Sequence, residues 1–101
     1  MPAYIMGIIE EIHDPEMMGQ YVEQVAPVVQ QYGGRYVVVS NQVEATEGDL
    51  TPAILAALEF ADMDQVRTFW ASPEYTAIKH LRHNSTRSKV LFVDGANPLL
   101  V

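Results

Sequence analysis

The stretch FWASPEYTAIKHLR, residues 69–82, gathers most of the side chains in this chain that could do chemistry. Trp70 is the only tryptophan, and Tyr75 follows it by five residues. A pair of large aromatics either glues helix to sheet by area alone or walls a pocket, stacking on a ligand and offering it a hydroxyl. Arg82 comes seven residues after Tyr75 and four after Ile78, so it continues the apolar stripe of a helix rather than its wet side. A cation on an inward face needs an anion. It can be an internal or inter-subunit carboxylate, for which arginine is the preferred partner, or the carboxylate or enolate of a ligand. Glu59 is the internal candidate, because it alternates with Leu58 and Phe60 in a short apolar run. Desolvated without a full partner, Glu59 would have a raised pKa and could act as a general base near neutrality. His80 is the other group suited to moving a proton, with an ordinary pKa of about 6.5; the competing reading is a solvated helix histidine.

Other chemistries find no support. His80 and His83 stand three apart but supply two nitrogens where catalytic metal sites use three protein ligands, so no metal is expected. The absence of cysteine excludes disulfides, thiolate catalysis and cysteine-held zinc or iron–sulfur centres. Gly33-Gly34 and Glu47-Gly48 match neither GxGxxG nor GxxxxGK[ST], no GxSxG elbow occurs, and Ser72 is better used as a helix cap. No cofactor is expected. His13, beside a helix cap, reads as structural. Six Lys/Arg against thirteen Asp/Glu give a net charge of −7, which repels phosphate backbones and anionic lipid, so neither nucleic acid nor membrane is an expected partner. The opening MPAYIMGIIEEI lacks a basic flank and a cleavage site, and no apolar run reaches the ~18–20 residues of a membrane span, which points to a cytoplasmic protein. Four of the six cations, Lys79, Arg82, Arg87 and Lys89, nevertheless fall between Tyr75 and Val93 with no acid among them, a basic window able to steer an anionic substrate.

The elements that must position these groups are readable from periodicity. Residues 3–12, AYIMGIIEEI, are apolar at both parities, as in a strand covered on both faces. Asp14-Pro15 is a capped helix start, and Met18, Tyr21, Val22, Val25, Val28, Val29 and Tyr32 carry an apolar stripe to Gly33-Gly34, with a kink expected near Glu23 from Pro27. RYVVVSNQVEAT, residues 35–46, predicts a long second strand, bent near residues 40–42. AILAALEF, residues 53–60, predicts a short buried third strand. Asp62 opens a second helix through Trp70, and Ser72-Pro73-Glu74 starts a short third one with Tyr75, Ile78 and Leu81 on its apolar face. Residues 88–94 form the last strand, and an apolar tail, residues 96–101, follows the single domain of residues 1–95. Strand-helix-strand twice over predicts an α+β, ferredoxin-like βαββαβ plait: a four-stranded antiparallel sheet with helices on one face. The other face is left bare. A chain of 101 residues buries only roughly 60–65% of its unfolded surface, so a second copy covering that face, a homodimer, is expected.

The order and spacing of HDPEMMGQY, YGGRYVV, VEATEGD, LEFADMDQVRTFWASPEYTAIKHLR and VLFVDG across residues 3–95 resemble the family called domain of unknown function 1330. The resemblance implies membership of the dimeric α/β-barrel superfamily, in which two plaits join their bare sheet faces. It further implies a small-molecule pocket, since that superfamily includes cofactor-free monooxygenases, lactone isomerases, polyketide-modifying enzymes and haem enzymes. In the monooxygenases an aromatic pair at the end of the second helix lines the cavity, and a tyrosine hydroxyl or nearby basic side chain binds a substrate oxygen; Trp70, Tyr75 and Arg82 have similar spacing. Two functions remain open at this point. One is a cofactor-independent enzyme of oxygenase, isomerase or cyclase type, with Trp70, Tyr75 and Arg82 binding a small oxygenated or anionic substrate and Glu59 or His80 moving a proton. The other is a non-catalytic dimeric ligand-binding or structural module.

Overall fold

A computed structural model describes residues 1–95 of the chain. Its elements are β1 (Ala3–Ile12), α1 (Pro15–Gln31), β2 (Arg35–Ser40), β3 (Ile54–Phe60), α2 (Met63–Ala71), α3 (Pro73–Ser85) and β4 (Thr86–Asp94). The sheet runs β2-β3-β1-β4, with every neighbouring pair antiparallel. This is the expected ferredoxin-like plait. Among the described residues no helix is long and apolar enough to cross a membrane. The apolar tail falls outside those residues.

Helix starts follow from side-chain capping, which satisfies amide groups the first turn leaves orphaned. Asp14 Oδ1 accepts from the Met17 amide at 3.1 Å, and Asp62 Oδ1 from the Gln65 amide at 2.8 Å. The end of α1 is a Schellman turn: the Gly33 amide donates to the Gln30 carbonyl at 3.1 Å and the Gly34 amide to the Val29 carbonyl at 2.9 Å. Gly33 takes φ +79°, which glycine adopts without strain. Gly34 is required for a different reason, since a Cβ there would stand 2.6 Å from the Phe60 ring. α1 continues through Pro27 as one 17-residue helix.

Two elements differ from expectation. β2 ends at Ser40 instead of running on to residue 46. There the Ser40 hydroxyl accepts from the Gln42 amide at 3.0 Å and donates to the Gln42 carbonyl at 3.2 Å, so a side chain takes over groups that a strand would have paired. α3 is longer than foreseen, 13 residues, and β4 starts directly behind it at Thr86.

The helices cover one face of the sheet. Ile5, Leu58 and Phe60 from the strands pack there with Val29, Val66, Phe69, Tyr75 and Ile78 from the helices. Alternation sends the next residues to the opposite face: Met6 lies between Ala57 and Leu91, and Tyr4 is opposite Val93. Among the described residues no helix covers this side, and Leu91 remains 51% exposed.

Ser72 joins α2 to α3 and serves both. Its amide and hydroxyl donate to the Phe69 carbonyl, at 3.1 and 2.7 Å, and its Oγ accepts from the Tyr75 amide at 3.1 Å. The residue is buried, so water cannot replace it. Ser72→Ala is therefore expected to lower stability by about 1–2 kcal/mol, seen as a lower urea midpoint at unchanged m-value.

Candidate functional site

α1 packs along α3, whereas close backbone approaches to the strands come from α2 and α3. The floor beneath α1 is also low, because Gly7 of β1 and Ala56 of β3 are directly opposite in register. A cavity of about 260 Å³ results. Val22 and Val25 from α1, Leu58 from β3 and Val90 from β4 give it apolar walls. Trp70, Tyr75 and Arg82 all line it, and Tyr21 and Tyr36 add two further phenols.

The polar groups collect at one end. Tyr21 and Tyr75 share a hydroxyl–hydroxyl hydrogen bond of 3.0 Å, and Arg82 Nη2 approaches the Tyr75 hydroxyl at 3.5 Å. Arg82 Nη1 donates to Ser88 Oγ at 2.7 Å, while its Nε has no partner among the described residues. Trp70 stacks against Tyr75 with ring centroids 5.1 Å apart and meets Phe92 edge-on at 5.3 Å. Two cations face its indole, Lys79 Nζ at 4.6 Å and the Arg82 guanidinium carbon at 5.9 Å from the ring centroid. Burial, and then the neighbouring Tyr75, push the Tyr21 phenol far above its ordinary pKa, so it remains protonated and able to donate. Burial also raises Tyr36.

Arg82 is 5% exposed, and among the described residues no carboxylate pairs with it. The internal pair foreseen with Glu59 does not form within the protomer. Leu58 and Phe60 point to the helices, so the residue between them points the other way; the alternation offered as a sign of burial carries Glu59 to the bare face. There it binds Arg35, with Nη2 at 2.9 Å and Nε at 3.0 Å from Oε1. That hydrogen bond holds its carboxyl below the usual carboxylate range, the reverse of the rise a general base would need. His80 is exposed on α3 and does not line the cavity. His13 is exposed too, and its amide donates to the Ser85 carbonyl at 2.7 Å, tying β1 to the end of α3.

Two of the four cations of the basic window are neutralised from β1. Arg87 lies 3.1 Å from Glu11 and Lys89 lies 3.6 Å from Glu10. Its field at the cavity is therefore weaker than the sequence alone suggests. Tyr21 and Gly7 belong to the site but carry no motif. The signals available were a tyrosine within the apolar stripe of the first helix and a glycine among β-formers in a central strand.

The model of the domain of unknown function DUF1330 matches residues 2–96. The chain belongs to that family. No protein of curated function matches this DUF1330 sequence. Among solved structures it is similar to a protein of unknown function from Rhodopseudomonas palustris, with a TM-score of 0.77 at 15% identity over 96% of this chain and 84% of the other. A dimeric ferredoxin-like protein of unknown function from Bacteroides fragilis is similar with a TM-score of 0.66 at 14% identity, over 93% and 96% of the two chains. So is SnoaB, a cofactor-independent oxygenase from Streptomyces nogalater, with a TM-score of 0.63 at 13% identity over 97% and 95%. At these identities the likeness is one of fold.

An arginine buried with no anion among the described residues is a burden on the fold of this chain. Arg82→Met is expected to leave the unfolding free energy within about 1 kcal/mol of the parent, or to raise it. A loss of about 3–5 kcal/mol in urea titration, the cost of breaking a buried ion pair, would mean that Arg82 is already paired in solution.

Proposed function

We propose that the cavity beneath α1 binds a small, mainly apolar organic molecule through an oxygen function, and that the protein transforms it without a cofactor, by oxygenation, isomerisation or cyclisation. The observation that carries this reading is that Trp70, Tyr75 and Arg82 border one cavity of about 260 Å³. Preorganised donors in such a dry site favour an oxyanion as it develops on a substrate. Arg82 would supply the charge, Tyr75 and Tyr21 the O–H donors, and Trp70 the flat surface. The fold shared with a cofactor-independent oxygenase is compatible with this chemistry. Glu59 and His80 lie outside the cavity of their own protomer, so neither enters the proposal as a proton-transfer group.

A second reading, a non-catalytic ligand-binding module, is favoured by one observation. Among the described residues no carboxylate or imidazole lines the cavity. Recovery of 4-propylphenol unchanged after prolonged aerobic incubation with the protein would select this reading; a new product would select the first.

Gly7 provides the test of the site itself. A Cβ placed there meets only Ala56, at 3.9 Å, so neither backbone nor packing demands a glycine. Gly7→Val should keep or improve stability, by up to about 1 kcal/mol from strand preference, while its three added carbons take up part of the cavity floor. Saturation-transfer NMR with 4-propylphenol is expected to show binding to the parent and weaker binding to Gly7→Val. Equal binding to both would remove the cavity from the proposal.

We further propose that a second copy of the chain covers the bare sheet face, around Met6, Ala57, Leu91 and Val93. Exposed apolar area on that face and the dimeric state of a similar protein support this. Sedimentation velocity should give twice the 11.3 kDa chain mass. Leu91→Asp should return a single chain, and a parent that stays monomeric at all concentrations would refute the pairing.

A further inference from the structure

Arg82 is the only formally charged side chain on the cavity wall among the described residues, and it is held there without a counter-charge. Its surroundings are neutral: two phenols, the Ser88 hydroxyl and the faces of Trp70 and Tyr21, each ring centroid 5.9 Å from the guanidinium carbon. Hydroxyls and ring faces soften the desolvation of a buried cation but do not neutralise it. We infer that the ligand is an amphipathic monoanion, with one carboxylate at the Arg82 end of the cavity and an apolar body filling the remainder. This rests on the cavity being a ligand site and names what the site selects.

The donor count suits one carboxylate. Tyr21 and Tyr75 hold two phenol protons and use one between themselves, which leaves one O–H free to point at a ligand. Arg82 Nη1 is committed to Ser88, whereas Nη2 has only the long 3.5 Å approach to Tyr75. One free hydroxyl and one underused guanidinium nitrogen thus face two carboxylate oxygens. A dianionic phosphate would bring more charge and more acceptors than this end can meet. A second charge anywhere else on the ligand would be stranded against Val22, Val25 and Leu58.

Volume sets the body. An apolar cavity of about 150 Å³ takes benzene, and by proportion the cavity of about 260 Å³ here takes about ten non-hydrogen atoms. A phenyl ring on a short chain ending in carboxylate has that size.

Trp70 is the single tryptophan and lines the cavity, so its fluorescence reports occupancy directly. The full-length protein would be titrated with 3-phenylpropanoate, 3-phenylpropanamide and 3-phenylpropylamine, and with benzoate and 6-phenylhexanoate to vary size. The carboxylate is expected to bind at least tenfold more tightly than the amide, the amine not to bind, and affinity to peak at 3-phenylpropanoate. Arg82→Met should bring carboxylate and amide to equal affinity, and Arg82→Lys should retain part of the preference. If Arg82→Met does not fold, the parent's ranking of the three head groups still decides. Equal binding of amide and carboxylate to the parent would overturn the anion inference and leave the ligand site standing. No change in Trp70 emission with any of the five compounds would overturn both.

Discussion

The helical side of this protein is organised around a guanidinium kept from water with no carboxylate beside it among the described residues. Such a group is unfavourable to bury, and the structure around Arg82 shows how the fold tolerates it. Its outer nitrogen is held by Ser88 at the start of β4, and the carbonyl of Arg82 itself accepts from Thr86 Oγ1 at 2.7 Å. Two aromatic rings face it, and a phenol pair stands at its inner end. Each of these contacts comes from a different part of the chain: α1 supplies Tyr21, α2 supplies Trp70, and β4 supplies Ser88. The position of one charge therefore couples the neighbouring α2 and β4 to the distant α1.

The second constraint is the distance at which α1 is held. Tyr21 reaches Tyr75 across the cavity roof, Tyr32 donates to Glu74 Oε1 at 2.9 Å, and Gln31 donates to Glu74 Oε2 at 2.7 Å. These bonds fasten α1 to the first turn of α3 rather than to the sheet. With the helix anchored sideways and the floor cut back to Gly7 and Ala56, space between them persists without collapse. A small domain gives up hydrophobic stabilisation to keep that space, since close-packed interiors are the norm and a core of this size is already limited. A bound ligand would restore the missing contacts, and favour the folded state by mass action.

How much of this was legible in the sequence depends on the range of the interaction concerned. Caps are local, so Asp14-Pro15 and Ser72-Pro73 announced α1 and α3 directly, and β-branched periodicity announced β1. AILAALEF supplies a strand despite its alanines and leucines, because a run of that length fits a buried strand. The end of β2 was lost because a serine side chain competing for the backbone looks, in sequence, like any other polar residue in a strand. Arg82 lies inward on its helix, as its spacing from Tyr75 and Ile78 implies. The phenol pair at its inner end is not legible in the same way, for Tyr21 and Tyr75 are 54 positions apart. Strict alternation with Leu58 and Phe60 places Glu59 on the opposite face, away from Arg82 of its own protomer.

The bare face follows its own logic and bears on what Glu59 does. Arg35 and Glu59 lie at the β2 corner, while Glu10, Arg87 and Lys89 lie where β1 meets β4. Between them run Met6, Ile8, Leu55, Ala57, Leu91 and Val93, with the charges confined to the margins. An apolar centre inside a polar rim is the anatomy of a protein interface. Surface pairs of this kind contribute little to folding, yet they penalise a partner that sets like charges against them. The two faces of one sheet thus differ in their charges: the covered face holds Arg82 with no carboxylate beside it among the described residues, and the open face pairs Arg35 with Glu59 and Lys89 with Glu10 at its margins.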